Sequence, residues 1–322
     1  MMLVGHEEPW REWRAALQSH RMHHAWILAG PQGLGKAAFA RAAAAELVAE
    51  PGIAQPRPEA HPDIIIPEHP PENKEEIKKR EAGEAFTTKR SIPIDEIRAM
   101  QHRLTTRPSL GSRRVVILDP ADDLEKGAVN ALLKSLEEPP VGTYFLLVTH
   151  RPGRLLPTVR SRCRILRFSP LAPDEIDRIL IAGEPQADAA TRAAAIAAAS
   201  GSPGAAMGFV QQRLGGAHQL MRQMLAEGDA SLALRGRLSA ELGTRPARER
   251  LAAVLELARA VLAAELRTAT PARQARIIAA HADLTRLSAQ APTYNFDPGL
   301  LAMELGGLIA GASGVAGAGV GA

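Results

Sequence analysis

The stretch Ala29–Ala40, AGPQGLGKAAFA, holds the residues whose types and spacing speak most directly of chemistry. Gly30, four residues, Gly35 and Lys36 complete a Gly-x-x-x-x-Gly-Lys frame, with Gly33 inside it and Pro31, Gln32 and Leu34 filling the loop. Glycines there let successive backbone N–H groups face an anion at a helix N-terminus, and the lysine adds a positive charge toward the outer phosphates. The residue after the lysine in such loops carries a hydroxyl for magnesium, and here it is Ala37. Phosphate can still be cradled, but metal positioning is weakened.

Two further stretches bear on the same chemistry. In VVILDPADDL, Val115–Leu124, an apolar run ends in Asp119, the arrangement of a strand-end carboxylate that holds magnesium through water. The next residue is Pro120, which has no acid–base capacity, and Asp122 and Asp123 read as solvated or capping residues of the following helix. The chain therefore lacks a hydroxyl on one side of a metal and a base on the other. In LLPTVRSRC, Leu155–Cys163, and the residue after it, Arg160, Arg162 and Arg164 alternate with Ser161 and Cys163. An arginine on a rigid strand edge can reach a phosphate of a neighbouring molecule. The run by itself reads as a solvated basic surface.

The elements that must position these groups follow from the hydrophobic pattern. Short apolar runs at 25–29, 63–67, 113–119, 143–149 and 164–168 predict five strands. Helices are predicted from KAAFARAAAAELVAE, PIDEIRAMQHRL and AVNALLKSLEE between them. Strands alternating with helices imply a parallel sheet covered on both faces. The pattern fails between Gly52 and Ser91, where Pro- and charge-rich sequence predicts a mobile excursion from the sheet. His61 and His69 flank the second strand, but two histidines without cysteines make a poor metal site. After Phe168 only helical signals follow, clearest in ERLAAVLELARAVLAAEL, with breaks near Pro170 and Gln211.

Bulk composition narrows the function classes. The chain has 322 residues, 46% hydrophobic and 23% charged, an ordinary globular balance with material for several cores. Aromatics are only 3% and alanine is abundant, which favours helix. A single cysteine, Cys163, excludes a disulfide framework and a cysteine-rich zinc site and suits a reducing cytosol. The N-terminal MMLVGHEEPWREWRAAL reads as no secretion signal, and the Gly/Ala-rich end reads as a poorly ordered tail rather than an anchor. Net charge +4 and pI near 9.5 are compatible with nucleic acid nearby, with Arg113, Arg114 and the 160–164 run as phosphate contacts or as a solvated face.

Taken in order, RMHHAWILAGPQGLGKAAFA, HPD, SIPIDEIR, RRVVILDPADDLEKGAVNALLKSLEEPP, LLVTHRPGRLLPTVRSRC and GSPGAAM make the chain resemble the delta-prime family of bacterial DNA polymerase III clamp-loader subunits, which are AAA+ proteins. The resemblance is strong from Leu3 to Phe168, fair through Met207 and weak beyond. It implies an α/β AAA+ P-loop domain at 1–169, a small helical lid at 170–210 and an all-α collar at 211–308, with the Gly/Ala composition of 309–322 predicting a flexible tail. It places Gly30–Ala37 in the Walker A loop, Asp119 as the Walker B aspartate, Thr149 at sensor 1 and Arg162 as an arginine finger acting in trans. Gly201–Gly204 falls where hydrolysing relatives carry a sensor 2 arginine, and Gly204, Ala205 and Ala206 offer none. It implies ATP or ADP at a degenerate Walker site, where Ala37 leaves magnesium doubtful, and carries over no zinc. The implied partners are other clamp-loader subunits in a hetero-pentameric ring, a sliding clamp and primed DNA. A cytoplasmic location, no membrane contact and no ATPase activity of the chain alone complete the expectation.

Overall fold

The computed structural model describes residues 4–19, 22–291 and 296–314, which divide into two compact units that meet at the Ser169–Pro170 boundary along the chain. The first unit opens with α1 (Glu7–Gln18), β1 (Ala25–Ala29) and α2 (Lys36–Val48). Then come β2 (Ile64–Ile65), α3 (Lys74–Glu81), α4 (Ile94–Leu104), β3 (Arg114–Leu118), α5 (Lys126–Glu137), β4 (Thr143–Thr149), α6 (Pro157–Arg160) and β5 (Arg164–Arg167). All pairings are parallel and the strand order is β2-β3-β4-β1-β5.

Every residue of β1 is buried, as an inner parallel strand requires, and its side chains alternate between two separate apolar layers. Trp26 and Leu28 join Trp13 of α1 and Phe39, Ala43 and Leu47 of α2 on one face. Ala25, Ile27 and Ala29 join Ile97 and Met100 of α4 and Leu132 and Leu136 of α5 on the other. Because β1 lies between β4, which the chain reaches only after β2 and β3, and β5 on the other side, the loop after β1 lies at the carboxyl edge where the strand order reverses. Open α/β sheets place their ligand crevices at that point.

The segment 52–91 departs from the expected mobile excursion. The strand predicted over 63–67 is reduced to Ile64–Ile65 at the sheet edge, because Pro67 cannot donate and Asp63 is drawn into an ion pair. Beyond it, α3 is capped by Asn73, whose side chain accepts from the N–H of Glu75 (2.9 Å) and Glu76 (3.0 Å). The Glu76 carboxylate accepts from Thr87 N–H at 2.6 Å, and Pro71 bridges Thr88, so the segment closes on itself. His61 and His69 are held by Gln55 (2.7 Å) and Asp123 (3.1 Å).

The second unit is helical throughout its described residues. It comprises α7 (Pro173–Gly183), α8 (Ala189–Ala198), α9 (Pro203–Gln211), α10 (Gly215–Glu227), α11 (Ala233–Leu242), α12 (Arg248–Glu265), α13 (Pro271–Gln290) and α14 (Pro298–Gly311). The turn after Gln211 breaks the chain but not the packing: α12 lies against both α8 and α9, and one cluster of buried residues runs from Leu171 to Ala312. The tail expected to be flexible from residue 309 is instead ordered through Gly314. Leu301, Leu305 and Ile309 recur at helical spacing on the buried face of α14, and Ala312 just beyond it is also buried. Gly306 lets α14 approach closely, since a Cβ there would come within 2.6 Å of Arg235 and 3.2 Å of Met224. Residues 315–322 of the predicted tail lie outside the described residues. Among the described residues no helix is long and apolar enough to cross a membrane.

Candidate nucleotide site and arginine corner

The glycine loop takes the shape its sequence demands. Gly33 and Gly35 both have φ of +80°, the left-handed region that a side chain would strain. Gly30 has a different reason: a Cβ would come within 2.5 Å of the Phe168 carbonyl, so only glycine lets β1 leave the sheet beside β5. Gly30 N–H donates to the Thr149 carbonyl at 3.3 Å, tying the loop to the end of β4. On the loop's inner side Leu34 is buried, and its carbonyl accepts from His6 Nε2 at 2.7 Å while the His6 ring meets Phe168 edge-on.

Lys36 is the first residue of α2 and only 3% exposed. Its ammonium donates to the carbonyls of Gly30 (2.7 Å) and Pro31 (2.5 Å), folding back over its own loop. Burial lowers its pKa to about 8, against the pull of Asp122 and then Asp119. Asp119 stands at the end of β3, where Arg41 of α2 approaches it at 3.9 Å. Pro120 follows, so no carboxylate occupies the position from which water could be polarised.

Asp122 corrects the sequence reading. It is neither a solvated residue nor a helix cap: one carboxylate oxygen accepts from Thr149 Oγ1 at 2.8 Å and the other from His150 N–H at 2.6 Å. Thr149, expected at the strand end, is thereby fully buried and held, and its hydroxyl oxygen accepts from Arg151 N–H at 3.1 Å. His150 is a residue the sequence reading missed. Burial and then the nearby Lys36 charge keep its pKa below the ordinary value, against Asp122, Asp119 and Asp123. Its Nδ1 is buried without a hydrogen-bond partner. A histidine after a strand-end threonine carries no signal in one sequence, since only the fold sets it beside Lys36.

The fold thus gathers Gly30–Ala37, Asp119, Asp122, Thr149 and His150 at one edge of the sheet. The glycine torsions and the lysine fit an anion of phosphate class. For a magnesium ion the loop offers the Asp119 carboxylate but no hydroxyl at Ala37, so one of the two protein groups that would position it is missing. Among the described residues no group of three or more His, Cys, Asp or Glu could hold a metal.

Arg162 makes none of these contacts. It lies between α6 and β5, where its Nη2 pairs with Glu137 at 2.8 Å and its Nη1 donates to the Thr158 carbonyl at 2.9 Å. Arg164 is bound to Glu12 at 2.8 Å and its guanidinium lies over Trp26, 5.0 Å from the ring centre. Cys163 turns inward and burial pushes its thiol up to about 12, which removes it as a nucleophile. Arg114 is not a surface cation either: it is buried on Asp63 and on the carbonyls of Arg103, Thr106 and Arg107.

The chain is similar to known proteins. A family described as DNA polymerase III, delta subunit, matches residues 5–172. The DNA polymerase III subunit delta-prime of Pseudomonas aeruginosa is 37% identical over 169 residues, 48% of this chain and 46% of that protein. The Escherichia coli protein of the same name is 37% identical over 138 residues, 43% of this chain and 41% of its own length. A DNA polymerase III subunit gamma/tau of Mycobacterium bovis is 30% identical over 220 residues, 67% of this chain and 37% of that protein. The matched region thus spans less than half the length of each of these relatives. A solved gamma subunit-related protein of Thermotoga maritima shares 18% identity over 94% of this chain and 99% of its own, with a TM-score of 0.48.

Proposed function

The chain belongs to the DNA polymerase III delta-prime-type clamp-loader family, and from that premise we propose that it is a stationary, hydrolysis-poor subunit that lends Arg162 in trans to a neighbouring ATPase subunit and helps load a sliding clamp onto primed DNA. The observation that carries this reading is the division of labour within the first unit. The phosphate loop keeps its glycine torsions, yet Ala37 and Pro120 stand where a metal ligand and a base would. The arginine is meanwhile presented on a separate, partly exposed corner. A guanidinium offers a planar fork of donors suited to phosphoryl oxygens, and one placed at a subunit boundary stabilises charge developing in the neighbour's site. The partners are the other subunits of a pentameric ring, the clamp and DNA, and the setting is the cytoplasm.

The test is ATP turnover by the complex assembled with its ATPase subunits. Arg162→Ala lowers turnover by ~10³–10⁵, the range found when such a finger is removed, and leaves the chain folded because its contacts are exposed. Unchanged turnover refutes the trans role. The isolated chain shows no ATP cleavage with or without magnesium.

One observation favours a second reading, a scaffold that binds no nucleotide: Lys36 already satisfies its ammonium on Gly30 and Pro31. A fluorescent-nucleotide titration of wild type and Lys36→Ala separates the two. A signal lost in the variant supports a living phosphate site, and equal weak signals support the scaffold.

A further inference from the structure

The three arginines at the α6–β5 corner stand in different environments. Arg164 is committed to Glu12 and Trp26. Arg160 is exposed and makes no ion pair among the described residues. Arg162 is held at two of its nitrogens, with a longer contact to Ser161 Oγ at 3.4 Å, and its two short anchors differ in kind. The Thr158 carbonyl is neutral and orients the guanidinium. The Glu137 carboxylate opposes its charge.

Glu137 is the last residue of α5, where the free carbonyls of the helix end add negative potential to the side chain. That end is fixed in place, since His24 Nε2 donates to the Leu136 carbonyl at 2.9 Å just before β1 begins. The charge facing Arg162 therefore comes from a pinned helix end. The pair is also partly open to water, with side-chain exposures of 34% for Arg162 and 48% for Glu137. Exposed pairs contribute about 1.4- to 5-fold to an equilibrium constant (~0.2–1 kcal/mol), enough to bias an arginine but too little to trap it. A phosphoryl group, with more than one negative charge, displaces such a carboxylate.

We propose that Glu137 is the counter-ion of Arg162 in cis, a positioning residue that sets how readily the guanidinium is released to a phosphate-class anion carried by a neighbouring molecule. The proposal rests on the trans reading of Arg162 given above. Glu137 competes for the guanidinium, so removing its charge favours release. Thr158 still orients the side chain, because its contact is through the backbone.

The experiment uses Glu137→Gln, which keeps size and removes charge, in two settings. In the isolated chain, arginine-selective modification by phenylglyoxal is followed peptide by peptide. Arg162 reacts about 1.4- to 5-fold faster in the variant at low salt, Arg160 reacts at the wild-type rate, and the difference closes as salt screens the pair. In the assembled complex, the nucleotide concentration giving half-maximal turnover falls by a similar factor while the maximal rate is unchanged. An unchanged Arg162 reactivity at low salt overturns the counter-ion role whatever the complex does. Faster modification with an unchanged half-saturation overturns its bearing on turnover. Normal turnover with Arg162→Ala sinks the trans reading itself, and the proposal with it.

Discussion

Burial acts on Lys36 against its own charge, and the result has a direct bearing on anion binding. With a pKa of about 8, the side chain is an ammonium at neutral pH and a neutral amine in mildly alkaline solution. An anion seated at the loop meets a positive charge only in the first case. The affinity of inorganic tripolyphosphate for the isolated chain is therefore expected to fall as pH climbs past about 8, while Lys36→Met binds weakly and without that dependence. Titration calorimetry across pH 7 to 9.5 checks this, and a flat wild-type profile places the anion away from Lys36. At this scale the glycines and the lysine were legible, because their role is set by backbone torsions within a few residues. Asp122 and His150 were not, because what each does depends on groups brought in from distant parts of the chain.

Among the elements, the edge pair β2–β3 shows a buried ion pair holding a short strand in place. Asp63 accepts from the N–H groups of Ser109 (2.7 Å) and Leu110 (2.8 Å) as well as from Arg114. Burial alone raises its carboxyl pKa, but the Leu110 and Ser109 N–H groups and the Arg114 guanidinium outweigh burial and hold it below the ordinary value. Asp63→Ala leaves Arg114 buried without its counter-charge, and a loss of ~3–5 kcal/mol in urea unfolding is expected. The sign of the pH dependence follows from the depressed pKa. The carboxylate's contribution is fully present above its ordinary value of 3.8 and is lost as pH falls through the lower folded value. The gap between wild type and Asp63→Asn therefore closes in acid. A gap constant down to pH 2 contradicts the assignment.

For the whole molecule, the central fact is two cores that do not share residues along the chain. The sheet unit buries its apolar side chains in two layers on either side of the strands, and the helical unit in one continuous cluster from Leu171 to Ala312. A unit with its own core can fold as one cooperative body. Residues 170–322 expressed alone are expected to show a helical circular-dichroism spectrum and a single urea transition. Shortening that fragment to end at Leu308 removes Ile309 and Ala312 from the core and lowers the midpoint, by an amount corresponding to ~2–5 kcal/mol if Ile309 dominates. An unchanged midpoint contradicts the packing of α14.

Features set by neighbours in the chain were determined by the sequence itself. These include the all-apolar inner strands such as AWILA, the glycine loop opening α2, the change to helix after Phe168 and the resemblance borne by the ordered motifs. They are readable because burial on both faces and positive φ impose residue types locally, whatever the distant partners are. Tertiary structure alone decided the pairings. Asp63 meets Arg114 across 51 positions, Asp122 meets Thr149 across 27, and Glu137 meets Arg162 at the end of a helix pinned by His24. A charged side chain has no preferred partner in sequence, and the order in which the strands lie side by side determines which opposite charge comes within a few ångströms.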